Sequence, residues 1–138
     1  MKSIAFSCLL IMLQSACNNK VKNTSYILIP GVGVGEILIG KPMPREKTPN
    51  GLTIFDDANG FVKAVVAERS HYILTIGDRT VNIGDKFESI NSRIKETLVA
   101  DNGTSDVLGG SWYKSKNGFF ICVEKGEIVR LGVGAAGD

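Results

Sequence analysis

Asn50-Gly51-Leu52-Thr53-Ile54-Phe55, followed after a polar turn by Gly60-Phe61-Val62-Lys63-Ala64-Val65-Val66, decides the fold of this chain, because the pattern returns. Asn117-Gly118-Phe119-Phe120-Ile121-Cys122 leads in the same way to Gly126-Glu127-Ile128-Val129-Arg130-Leu131-Gly132-Val133. Each copy reads as a β-hairpin: a Gly-marked turn, an apolar strand, a polar turn and a second strand. In the second strands Val62, Ala64 and Val66 alternate with Phe61, Lys63 and Val65. Ile128, Arg130 and Gly132 alternate likewise with Val129, Leu131 and Val133, which is the period of a half-buried strand. The turns hold Asp, Asn, Lys and Gly, residues that accept positive φ.

Working outward, Gly35-Glu36-Ile37-Leu38-Ile39-Gly40-Lys41 matches Arg79-Thr80-Val81-Asn82-Ile83-Gly84-Asp85, each a short apolar strand ended by Gly. Residues 26–29 and 72–76 open the two halves as further strands, and residues 111–114 form another before the last hairpin. The halves differ in their connectors. Asp85 and Glu88 suit a capping box, and Phe87, Ile90, Ile94 and Leu98 then fall on one helical face. The matching connector, residues 41–49, carries Pro42, Pro44 and Pro49, which rule out a helix. Residues 99–106 read as a loop. The expectation is one α+β domain over residues 26–138, with repeat halves of about 26–67 and 72–134. It has eight or nine strands in an antiparallel, meander-rich sheet and one helix packed on a face.

The Ile83-Gly84-Asp85 helix start and the closing hairpin resemble the tandem β-lactamase-inhibitor-like and SmpA/OmlA-type domains of bacterial envelopes. In those families a helical segment precedes an antiparallel meander. The resemblance implies broad protein-binding surfaces and assigns no individual residue.

The N-terminus points the same way. Lys2 precedes ten uncharged residues, 4–13. That is too short for a span of about 20 residues and right for the apolar region of a secretion signal. Ser15 and Ala16 are small, and Cys17 follows. The segment resembles the lipobox of bacterial lipoproteins, with Gln14 where the family pattern has Leu. That resemblance implies a signal peptide over residues 1–16, a diacylglycerol and acyl group on Cys17, and a polar tether over residues 17–25. Asn18 and Asn19 stand where an Asp would retain the protein at the inner membrane, so the resemblance implies the periplasmic face of the outer membrane.

The signal removes Lys2 from the 16 basic side chains, leaving 15 against 14 acidic ones. Such a balance has no electrostatic footprint for nucleic acid. Cys8 leaves with the signal, Cys17 is the lipid site, and Cys122 remains alone in an apolar strand, where a buried inert thiol is expected.

A catalytic vocabulary is missing. Gly31-Val32-Gly33-Val34-Gly35 lacks dinucleotide spacing. Gly132 to Gly137 matches G-x-G-x-x-G with no helix to follow and reads as a flexible tail. His71 is the only His, so neither a zinc cluster nor a nucleophilic triad is expected, and no cofactor. Asp56-Asp57-Ala58-Asn59-Gly60 reads as a hairpin turn rather than a calcium loop. For partner contact the candidates are Trp112 and Tyr113, adjacent on a strand and so on opposite faces. Lys41, Arg45 and Lys47 of the proline-rich connector join them. The expected function is a non-catalytic, membrane-tethered lipoprotein that binds another exported protein, as an inhibitor or immunity protein or as an accessory subunit of envelope assembly. The alternative is a small periplasmic hydrolase or ligand carrier.

Overall fold

A computed structural model describes residues 26–137. The expected signal and tether, and with them Cys8 and Cys17, lie outside the described residues. The domain is α+β, with eleven strands and two helices among the described residues. The strands divide between two sheets rather than one. The smaller holds β1 (Ile27–Ile29), β2 (Gly33–Val34), β3 (Ile37–Leu38), β6 (Ile73–Ile76) and β7 (Arg79–Asn82), in the order β3-β2-β1-β6-β7. The larger holds β4 (Leu52–Asp56), β5 (Val62–Ala67), β8 (Val99–Ala100), β9 (Ser111–Ser115), β10 (Phe119–Glu124) and β11 (Glu127–Gly134), in the order β4-β5-β11-β10-β9-β8. Every pairing is antiparallel except β1 with β6.

The repeat is built into the register. In the first hairpin Leu52 faces Ala67, Ile54 faces Val65, and a bulge lies between Phe55 and Asp56. In the second, Phe119 faces Val133, Ile121 faces Leu131, and the bulge falls between Cys122 and Val123, the matching place. The backbone bonds that dock each connector repeat as well. Val62 N donates to Lys41 O (2.7 Å) and Met43 N to Gly60 O (3.0 Å), while Ile128 N donates to Asp85 O (2.9 Å) and Phe87 N to Gly126 O (3.0 Å). The halves meet through matched residues: Ile27 and Leu28 pair with Ile73 and Leu74, and Val66 pairs with Gly132 between β5 and β11.

The bulges correct the strict alternation expected along β5 and β11. One extra residue, Lys63 or Val129, breaks the ladder and shifts the phase that follows. Val62, Val65 and Ala67 therefore share the inner face with Ile128, Leu131 and Val133, while Val66 turns outward. The inner faces of both sheets enclose the main core, around Leu28, Leu74, Val81, Phe119, Ile121 and Leu131. Gly132 and Gly134, expected in a flexible tail, are buried strand residues at the end of β11.

Helix α1 (Phe87–Arg93) fills the second half's connector, and Ile90 and Ile94 are buried in the core. Its expected capping box does not form. Lys86 is the N-cap, without a side-chain bond, because the Asp85 carboxylate instead accepts from Asn82 N (2.9 Å) and pairs with Arg93 (3.5 Å). Lys95, at φ 53°, follows the helix end, so Leu98 reaches the core from beyond it.

Helix α2 (Asn102–Leu108) replaces much of the expected loop. Asp101 caps it, accepting from Thr104 N (3.2 Å) and Thr104 Oγ1 (2.6 Å). At the other end Arg130 donates to Leu108 O and Gly109 O, and Trp112 Nε1 donates to Gly109 O at 2.8 Å. Carbonyls at the helix end are thus satisfied by Trp112, just beyond it, and by Arg130 from the distant strand β11. The helix packs on the outer face of the large sheet over Trp112, Cys122 and Val66.

Candidate partner-binding groove

The two sheets leave a seam on the first-repeat side. β3 ends the small sheet and β4 ends the large one. Between them, roofed by the proline-rich connector, runs a groove of about 580 Å³. Ile29, Val32, Leu38 and Ile54 supply its apolar wall, and Glu36, Glu46 and Lys47 its polar rim. Ile29, Val32 and Leu38 are 44%, 48% and 38% exposed, uncommonly open for large apolar side chains.

The cause lies in the connectors. Each leaves from a matching isolated bridge, Pro42 with Phe61 and Lys86 with Glu127. Beyond that bridge the second half coils into α1 and buries Ile90. In the first half Pro44 and Pro49 remove backbone donors and fix φ, so no helix forms and no apolar stripe is available to fill the seam. Met43, which matches Phe87 in the bridge geometry, is the connector residue that packs against the core. An exposed apolar groove rimmed by charge is the surface chemistry of an interaction site.

The candidate residues separate on this frame. Lys47 lines the groove, and Lys41 and Arg45 are exposed on the same connector. Trp112 and Tyr113 do face opposite sides of β9, but both are committed to packing. Trp112 is 1% exposed beneath α2, with the Arg130 guanidinium 5.1 Å from its ring centre. Tyr113 is half-buried and stacks on Phe87 at 4.5 Å. They lie four strands from β4, a distance of about 19 Å at ~4.8 Å per strand. Sequence reasoning missed Ile29, Val32 and Leu38, although the loss of the first-half helix was the signal for the open seam.

Of the reactive groups, Cys122 is fully buried. Burial pushes its thiol above the ordinary range, and the Arg130 guanidinium, 3.4 Å from Sγ, opposes this only in part. His71 is exposed and lies against the rings of Tyr72 (4.3 Å) and Tyr26 (4.9 Å). Among the described residues no group of three or more His, Cys, Asp or Glu could hold a metal ion, and no helix is long and apolar enough to cross a membrane. No family model, curated protein or solved structure matches this chain.

Proposed function

We propose that the chain is a non-catalytic lipoprotein of the bacterial envelope, tethered through Cys17, that binds another exported protein in the seam between β3 and β4. It would act as an inhibitor or immunity protein, or as an accessory subunit of envelope assembly. The observation that carries this reading is the exposed apolar wall of Ile29, Val32 and Leu38 where the first repeat lacks a helix. A partner segment laid there gains the apolar burial that α1 supplies in the other half, at about 25 cal/mol per Å². Glu36, Glu46 and Lys47 at the rim select for charge rather than supply most of the affinity.

The test is affinity isolation of the full-length protein from its own membranes, comparing wild type with Val32→Asp and Leu38→Asp. Both positions are open to solvent, so the fold is retained. The expected result is one co-isolated envelope protein, reduced about tenfold or more in the variants, as hot-spot losses are. Recovery of that protein undiminished in both variants counts against the groove. Isolation of no partner from wild-type membranes counts against protein binding altogether.

A second reading, a carrier of small apolar ligands, is favoured by the groove's volume, which lies within the range of about 300–1,000 Å³ typical of ligand sites. It predicts an organic-extractable molecule in the purified protein, detectable by mass spectrometry.

A further inference from the structure

The outer face of the large sheet carries a second groove, of about 470 Å³, away from the seam. Phe55 and Val66 of the first hairpin and Phe120 of the second form its floor, and Val107 of α2 forms its wall. Its origin is again an asymmetry between the repeats. In the second half Trp112 and Leu108 of α2 pack around the outward residue Cys122. The first hairpin has no such insertion, so Phe55 and Ala64 stay at the surface beside it.

Two further observations define what fits there. Val107 is 81% exposed, the most open large apolar side chain among the described residues. It stands beside Asp106, also exposed, on a helix with no basic residue. Lys63, the unpaired bulge residue, is the charged side chain of the groove lining. Neither Lys63 nor Asp106 belongs to an ion pair among the described residues. The molecule therefore carries both halves of one contact: an apolar, acidic helix edge and an apolar groove with a lysine.

We propose that the occupant of this groove is a second copy of the chain. The partner's α2 lies along the outer face of β4 and β5, with its Val107 side chain against Phe55 and Val66 and its Asp106 carboxylate against Lys63. A twofold axis repeats the contact in the other direction, as a self-complementary patch requires. Charge reversal at either residue places like charges together and opposes the pairing.

The test uses the full-length protein in its membranes. Two differently tagged copies are co-expressed, one with Val107→Cys and the other with Ala64→Cys, the groove residue paired with Phe55. Ala58→Cys, in the Asp57 turn, replaces Ala64→Cys as the reference for random collision. Under mild oxidation the Val107→Cys and Ala64→Cys pair is expected to give at least about tenfold more covalent heterodimer than the Val107→Cys and Ala58→Cys pair, the excess a specific interface provides over chance encounter. Adding Lys63→Glu to both copies removes that excess, and adding Lys63→Glu together with Asp106→Lys to both restores it. Crosslinking of the groove pair no greater than that of the reference pair overturns the proposal. So does crosslinking that ignores the Lys63→Glu change, which would leave the groove to another occupant. Ala64 is half-buried and the other four positions are exposed, and circular dichroism of each purified variant checks that the fold is kept.

Discussion

Gly118 and Gly51 open the two hairpins at φ +97° and +86°, where a side chain strains the backbone. Their surroundings differ. A Cβ on Gly118 would meet Gly134 O at 2.7 Å and Gly31 N at 2.8 Å, both backbone atoms, whereas one on Gly51 would meet the Arg69 side chain, which is exposed. Gly118→Ala is therefore expected to cost about 2–4 kcal/mol in urea unfolding and Gly51→Ala only about 1–2 kcal/mol. Equal losses would mean that the close approach at Gly118 contributes nothing. Cys122 permits a second check. With its thiol buried and its pKa raised, little thiolate exists at neutral pH. Iodoacetamide should label it on the timescale of unfolding, and at least about a hundredfold faster in denaturant. Rapid labelling of the native protein would contradict the burial.

At the scale of elements, α2 is the informative case. Residues 99–106 look like a loop because Asn102, Gly103 and Thr104 are poor helix formers. The helix exists because Asp101 caps its start while Trp112 and Arg130 hold its end. Trp112→Ala removes both a buried ring and a carbonyl partner, and is expected to cost about 3–5 kcal/mol. A loss below about 1 kcal/mol in chemical denaturation would show that α2 stands on its own. Asp101 brings a pH dependence with a definite sign. The Thr104 hydroxyl, more than any other cause, holds its carboxyl below the usual aspartate range. The cap's contribution is therefore complete above that range and is lost as pH falls through the lowered value. Melting temperatures of wild type and Asp101→Ala should differ most at neutral pH, by roughly 1 kcal/mol in stability. The two curves should converge in acid, and a gap that stays constant with pH would rule out this account. α1 teaches the reverse lesson. Its apolar stripe was legible from Phe87, Ile90 and Ile94, but its cap was not, because Asp85 bonds to β7 and Arg93 instead.

At the scale of the whole molecule, two diverged halves share one core and differ at its margins. The proline connector opens the seam, and the inserted α2 half-covers the outer sheet face. Both grooves arise where one half lacks an element that the other has. The proposed tether belongs to this scale too. Cys17→Ser is expected to move the protein from the membrane pellet to the soluble periplasmic fraction on fractionation. Unchanged attachment would remove the lipid and leave export untouched. Near-equal charge, 15 basic against 14 acidic side chains once the proposed signal is removed, offers little other hold on a lipid surface.

The two hairpins, their matching and the contrast between a helical and a proline-bound connector were legible in the residues alone. Those signals are local: turn glycines, side-chain alternation and the lost N–H of proline act within a few residues. Packing between segments far apart in the chain set the division into two sheets, the parallel pairing of β1 with β6 and the phase change at Lys63 and Val129. It also decided the formation of α2. Each depends on residues remote in the chain, as when Arg130 of β11 closes the end of a helix that begins at Asn102. The grooves belong to that second class as well. An uncovered face is a property of what packs beside it, so the residues that line it do not by themselves show that it is bare.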